Sequence, residues 1–189
     1  MPNWCENNVK ISGEKVQDFV KFLEVNKGKD WFDFFLPCPK DLIDTVSGSF
    51  SDEDKQKALI VQQSRNLKKY GHVDWYSWCC ENWGTKWNCD AGDFSVEGDS
   101  VRFSFESAWA PPTELYRVIE EQGFTVVASY MEEGMSFVGE YCDGSDDTYN
   151  YTYNDLASLD NVPEYLVAEY DLRTKIEENI EQGEPGEEE

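Results

Sequence analysis

Histidine, positive charge and long apolar runs are all scarce in this sequence of 189 residues. The single imidazole, His72, leaves one possible base for a catalytic Cys–His pair, and we expect it to be a solvated loop histidine instead. The longest apolar runs, such as residues 58–61, are far shorter than the roughly 20 residues that a bilayer span requires. The first residues lack a basic region followed by an apolar one, which predicts a cytoplasmic protein without membrane segments.

The chemistry-bearing motifs of common enzyme classes are also missing. The sequence has no glycine-rich phosphate loop, no G-x-S-x-G elbow and no H-E-x-x-H pair, so we expect no enzymatic activity. Six cysteines could form disulfides, but a reducing cytoplasm predicts free thiols that act as small buried hydrophobes. A zinc site assembled across the fold from Cys5, Cys80 and Cys89 stays open as an alternative. Our expectation is that the protein carries neither a metal nor a cofactor.

Positive charge is both scarce and unevenly distributed. The formal net charge is −23, and residues 91–189 contain 25 Asp and Glu against 4 Lys and Arg. Such a surface repels phosphate backbones and attracts basic partners, with a reach of about 8–10 Å at physiological ionic strength. We therefore predict a basic protein partner, encoded by a host or a mobile element, and in the extreme case an acidic surface that mimics DNA. Solubility alone is an equally good explanation of the charge.

What the sequence does contain is a regular succession of periodic segments. Apolar and polar residues alternate where we predict strands, and apolar residues recur at helical spacing where we predict helices. These segments are a strand at 7–13, a helix at 14–28, a hairpin at 93–107 that turns at 97–100, a helix at 108–123, and one long or two short strands at 124–142. The order predicts an α+β, ferredoxin-like split βαββαβ fold, with an antiparallel sheet and two helices on one face.

The domain organisation follows from this pattern. We predict a ferredoxin-like domain over residues 1–141, in which residues 31–87 are an inserted helical segment. Residues 142–176 are expected to form a C-terminal extension packed on that domain, including a helix that begins at Pro163. Residues 177–189, rich in Glu with Gly and Pro, are expected to form a disordered acidic tail.

One stretch, WYSWCCENWGTKW at 75–87, contains four tryptophans. Helical spacing places Trp75, Trp78 and Cys79 on one side of a turn, and Trp87 is predicted to enter the next strand. Burial of one large aromatic side chain stabilises a fold by roughly 1.5–3 kcal/mol, so we interpret this stretch as part of the core. The alternative is a cationic and aromatic recognition patch on the surface, formed by Trp83, Lys86 and Trp87.

Several short motifs resemble those of a known family. They are MPNWCENNVKISG at 1–13, LPCP at 36–39, WCCENWGTKW at 78–87, SAWAPP at 107–112 and YMEEGMSFVGEY at 130–141. In this order they resemble the phage- and plasmid-borne proteins described as Api-ninety-two-like. The resemblance implies a ferredoxin-like domain and an origin in a mobile genetic element, but no activity, because that family is largely uncharacterised. The candidate binding residues are Asn3, Trp4, Asn82, Trp83, Lys86 and Trp87.

Single-stranded nucleic acid is an alternative ligand, because exposed aromatic residues on a ferredoxin-like sheet can stack bases. The net charge opposes the approach of a phosphate backbone. This alternative therefore requires the available cations to gather on one face, namely Lys10, Lys15, Lys86 and Arg102.

Overall fold

A six-stranded antiparallel sheet forms the centre of the fold, of which the computed structural model describes residues 3–183. The strands are β1 (Trp4–Ser12), β2 (Phe94–Glu97), β3 (Ser100–Ala108), β4 (Thr125–Glu132), β5 (Phe137–Cys142) and β6 (Ser145–Asn150). The helices are α1 (Val16–Val25), α2 (Phe32–Phe35), α3 (Lys40–Ile43), α4 (Glu53–Tyr70), α5 (Trp75–Asn82), α6 (Thr113–Glu121), α7 (Glu164–Glu169) and α8 (Leu172–Gly183). A short 3-10 helix, Leu156–Asn161, precedes α7.

The strand order is β2-β3-β1-β4-β5-β6, and every neighbouring pair is antiparallel. The first four strands reproduce the split βαββαβ arrangement, with α1 between β1 and β2 and with α6 between β3 and β4. The predicted α+β, ferredoxin-like fold class is therefore confirmed. The predicted hairpin is also confirmed, because Glu97 of β2 pairs with Ser100 of β3 at its turn.

Helices α1 and α6 cover one face of the sheet and build the main core. Ile11 of β1 packs there with Phe19 of α1 and Ile119 of α6, and all three side chains are fully buried. The aromatic residues before and within α2 join the same core. The ring of Trp31 lies 5.2 Å from that of Phe103 in an edge-on arrangement, which aromatic pairs prefer.

Helices α7 and α8 cover part of the opposite face. Met131 and Val138, which are cross-strand neighbours on β4 and β5, form a second buried cluster with Leu166 and Ile176 of these helices. Among residues 3–183, no helix combines the length and the apolar character needed to cross a bilayer.

The C-terminal part differs in detail from the sequence expectations. Two strands, β4 and β5, occupy the segment where one long strand was an option, and β6 adds a sixth strand from mostly polar residues. The helix expected from Pro163 is two helices, because Asp171 between them has φ 51°. Helix α8 includes residues 177–183 of the segment expected to be disordered, and residues 184–189 lie outside the described part of the chain.

Candidate functional site

The tryptophan-rich stretch is divided between the interior and the surface. Asp74 caps α5 by accepting a hydrogen bond from the backbone N–H of Ser77 at 3.0 Å, and the helix buries Trp78 and Cys79. Trp83 is only 4% exposed, and its indole N–H donates to the carbonyl oxygen of Leu36 at 2.9 Å. The core interpretation is therefore correct for these residues. The placement of Trp83 in a surface patch is wrong, because its polar atom and its ring are both used inside the protein.

The end of α5 turns the chain back toward the surface. Asn82 is half-buried, and its side-chain amide donates to the carbonyl oxygen of Trp78 at 2.9 Å, which ties down the last helical turn. Trp87 does not enter a strand, because the next one begins at Phe94. It lies instead in the loop after α5 with 40% of its surface exposed, which corrects both the strand assignment and the core interpretation for this ring.

That loop is anchored against the start of α6. The hydroxyl of Thr85 donates to the carbonyl oxygen of Ala108 at 2.9 Å, and the N–H of Leu115 donates to the carbonyl oxygen of Trp83 at 3.3 Å. Gly84 has φ 86°, and a Cβ atom there would lie 3.2 Å from the backbone nitrogen of Thr113. Only glycine tolerates both the left-handed conformation and this close approach. The backbone that carries Lys86 and Trp87 is therefore held at a defined position.

Three tryptophans and one lysine meet on the surface beside this loop. The ammonium nitrogen of Lys86 lies 3.8 Å from the ring centre of Trp87 and 3.9 Å from that of Trp109. The rings of Trp4 and Trp87 are 6.0 Å apart between centres. The three indoles are 45% (Trp4), 40% (Trp87) and 42% (Trp109) exposed. We call these four residues the indole–lysine stack.

The four residues of the stack come from three of the motifs that carry the family resemblance. Trp4 comes from MPNWC, Lys86 and Trp87 come from WGTKW, and Trp109 comes from SAWAPP. The backbone N–H of Trp109 donates to the carbonyl oxygen of Asn3 at 2.9 Å, which joins the first motif to the last. Trp109 is the member that the sequence analysis missed as a binding residue, although its motif was recognised.

An acidic groove adjoins the stack at Trp4. This groove has a volume of about 410 Å³ and is lined by Asn3, Trp4, Glu6, Glu106, Met131, Glu132, Glu133 and Gly134. Glu6 and Glu106 are directly opposite each other on β1 and β3. They and Glu133 are exposed, and none of the three lies within 4.0 Å of a Lys, Arg or His nitrogen in residues 3–183. Like charges in this arrangement repel, so the groove attracts a cation.

Glu132 has a different role in the same groove. It is buried, and its two carboxylate oxygens accept hydrogen bonds from the backbone N–H groups of Gly134 at 2.8 Å and Met135 at 2.7 Å. A buried carboxylate needs such donors in place of water. Glu132 therefore fixes the turn between β4 and β5 and is not free to bind a ligand.

The open face of the sheet carries few of the aromatic side chains that base stacking uses. Lys10 and Arg102 are directly opposite each other on that face, and the residues around them are Val127, Tyr165 of α7 and polar side chains such as Asn8 and Ser129. Side chains alternate along a strand, and on this face the described part of β1–β4 presents a single aromatic residue, Trp4. Lys86 belongs to the indole–lysine stack and does not join these cations.

The thiols and the histidine differ in their burial and in their hydrogen-bond partners. Burial raises the pKa of Cys5 and of Cys89, which keeps both thiols protonated. The thiol of Cys79 donates a hydrogen bond to Cys38, which lowers the pKa of Cys38. His72 is not a solvated loop residue as expected, since its side chain is 12% exposed and lies 3.8 Å from the carboxylate of Glu81.

The side chains that could hold a metal ion are those of His, Cys, Asp and Glu. In residues 3–183, no three His, Cys, Asp or Glu side chains come together in a way that could hold an ion. Cys5, Cys80 and Cys89 are therefore not gathered into the zinc site that the spacing left open. All six cysteines are free thiols.

The fold and the stack together describe a ferredoxin-like α+β protein with an exposed aromatic surface beside an acidic groove. Neither a family model nor a curated protein matches the sequence. A similar solved structure is the crystal structure of a protein api92 from Yersinia pseudotuberculosis, of the family model DUF1281. The identity is 12%, the alignment covers 80% of this chain and 99% of that chain, and the TM-score is 0.38. A likeness at this level carries no argument about function.

Proposed function

We propose that this protein is a non-enzymatic accessory protein that binds a basic protein partner through its acidic surface. The acidic groove beside Trp4 is the proposed contact. The observation that carries the proposal is the cross-strand pair of Glu6 and Glu106, two exposed carboxylates that face each other without a cation of residues 3–183 between them. A lysine or arginine side chain of a partner relieves their repulsion and gains two ionic hydrogen bonds.

The charge of the whole chain supports the same partner chemistry. A net charge of −23 accelerates the encounter with a basic protein and slows the approach of nucleic acid. Exposed indoles at the edge of the groove add the aromatic contact that is common at protein interfaces. A non-enzymatic role is in keeping with the pKa shifts of Cys5 and Cys89, which keep these buried thiols from acting as nucleophiles.

The cellular setting is part of the proposal. Free cysteines are in keeping with a reducing cytoplasm. The motifs that resemble the Api-ninety-two-like family support membership of that family and a phage or plasmid origin. We therefore place the protein in the cytoplasm of a host cell, where it acts on a basic host or element-encoded protein during host takeover or defence evasion.

Affinity purification with matched variants tests the proposed function. Three forms of the full chain serve as bait. One is unchanged, and the groove variant carries Glu6→Gln and Glu106→Gln. The α8 variant carries Glu177→Gln and Glu181→Gln, which removes the same amount of charge at a different place. We expect the unchanged chain and the α8 variant to retain a basic protein at low salt. The groove variant is expected to retain at least about ten times less of it, which corresponds to 1.4 kcal/mol.

The elution profile completes this test. We expect about 0.5 M NaCl to release the partner, because salt screens interactions between exposed charges. Retention of nucleic acid in place of a protein, or an equal loss with both variants, would contradict the proposed function of the groove.

A further inference from the structure

Lys86 occupies a slot between two indole faces. Its ammonium nitrogen lies 3.8 Å and 3.9 Å from the ring centres of Trp87 and Trp109, so both faces contribute to one cation site. Within residues 3–183, the ammonium group has no carboxylate within 4.0 Å. The two rings contact the ammonium group through their faces, and another cation can make the same contacts.

The backbone holds one wall of this slot, the ring of Trp109, in place at a cost in conformational energy. Trp109 has φ 72°, a left-handed conformation that bulky side chains rarely adopt. It is maintained by the hydrogen bond from its N–H to Asn3 and by the adjacent bond from the Ser107 hydroxyl to the carbonyl oxygen of Ala110 at 2.7 Å. Strain of this kind is concentrated at functional sites. Here it holds an indole at the surface with 42% of its area exposed.

The surroundings define the ligand that fits the slot. Trp87 connects the slot through Trp4 to the acidic groove, where Glu6 and Glu106 provide unpaired negative charge. Of the two cationic side chains, arginine stacks better on an aromatic face and is more weakly hydrated than lysine. Its planar group also matches a carboxylate with two parallel hydrogen bonds. A basic segment with several arginines can fill the slot and the groove together.

We infer that the slot between Trp87 and Trp109 binds an arginine side chain of the partner, and that Lys86 is the internal cation that fills the slot in the free protein. This inference rests on the proposed function, since it names the anchor of the same basic partner. On binding, the ammonium group of Lys86 moves into water and the guanidinium group takes its place. Lys86 therefore competes with the partner and lowers the apparent affinity.

The test measures binding of two nine-residue peptides, one of arginine and one of lysine, by calorimetry at low salt. The variant Lys86→Met removes the competing charge and keeps the size of the side chain. Its matched control is Lys15→Met, which removes an exposed lysine in front of α1. We expect Lys86→Met to tighten binding of the arginine peptide about 2–30-fold, the range expected from the loss of one or two exposed cation–π contacts. We expect Lys15→Met to change it less than twofold.

Loss of either indole gives the opposite result. We expect Trp87→Ala and Trp109→Ala to weaken binding of the arginine peptide at least about 5-fold and to reduce its preference over the lysine peptide. Circular dichroism of each variant checks that it is folded.

Several outcomes would overturn the inference. Weaker binding by Lys86→Met shows that the stack receives an anion, and equal effects of Lys86→Met and Lys15→Met show that the slot is not used. Equal affinity for the two peptides would contradict the inference that the slot is specific for arginine. If the unchanged chain binds neither peptide and captures no basic protein, the proposed function itself is wrong, which separates that failure from a failure of the slot alone.

Discussion

The cross-strand pair of Glu6 and Glu106 should lower the stability of the free protein. The two residues are opposite each other in the register of β1 and β3, so their Cβ atoms are about 4.5–5.5 Å apart. Pairs of like charge in this position destabilise a sheet by roughly 0.2–1 kcal/mol, and solvent screening of these exposed groups favours the lower part of that range. Replacement of one carboxylate with an amide removes this repulsion and leaves the shape of the side chain nearly unchanged.

We therefore expect Glu6→Gln or Glu106→Gln to raise the free energy of unfolding by about 0.2–1 kcal/mol at low salt. For a chain of this length, such a gain shifts the thermal midpoint by about 0.5–4 °C. The double variant should be hardly more stable than either single one, because the first substitution already removes the pairwise repulsion. At about 1 M NaCl the difference should disappear, because the screening length falls to about 3 Å.

The assay is urea unfolding at low and high salt of four proteins: the unchanged chain, the two single variants and the double variant. Glu177→Gln is the control. Glu177 is exposed on α8 and has no ion pair within residues 3–183, because the nearby Arg173 pairs with Glu164 at 3.1 Å, so this substitution removes a carboxylate without breaking a contact. Strictly additive effects, or a gain no larger than that of the control, would refute the idea that the groove carries stored repulsion. The same variants should be more stable but bind the partner less well, so that the instability of the unchanged pair is linked to its function in binding.

Two further predictions concern the support of the stack and the buried thiols. Gly84→Ala should lower the free energy of unfolding by about 1–3 kcal/mol more than Gly71→Ala, as measured by urea unfolding. Both glycines have positive φ, but only at Gly84 would a Cβ atom meet backbone atoms. Equal losses of stability would contradict this reasoning. Burial raises the pKa of the Cys5 and Cys89 thiols in the folded state. Their contribution to stability is therefore complete below the unfolded pKa of about 8.5 and is lost as pH rises above it. The free energy of unfolding should fall by up to about 1.4 kcal/mol per pH unit for each thiol. Urea unfolding between pH 7.5 and 9.5 measures this slope, which Cys89→Ala should reduce, and a flat profile would show that the thiols ionise while still buried.

The regular elements could be predicted because their signals are local. Alternation in β1 and in the hairpin of β2 and β3 identifies the buried side of each strand, and the apolar stripe of α1 identifies its core face. Strand β6 could not be predicted in this way. It lies at the edge of the sheet, and five of its six residues, in the segment SDDTYN, are exposed, so it lacks the apolar alternation that marks a half-buried strand.

The candidate site was predicted only in part, since Asn3, Trp4, Lys86 and Trp87 lie in or beside the stack while Trp83 is buried. Aromatic residues give the same sequence signal whether they face the core or the solvent, because their hydrophobicity is the same in both places. The side on which Trp83 and Trp87 lie depends on the turn at Gly84, which is fixed by contacts with residues about 30 positions later.

By itself, the sequence determined the fold class, the acidic charge and the motifs, since each depends on composition or on neighbouring residues. Only the tertiary structure decided that Trp4, Lys86, Trp87 and Trp109 share one surface and that Glu6 and Glu106 face each other. Both arrangements join segments that are distant in the chain, and their geometry depends on strand register and loop anchoring, which long-range packing sets.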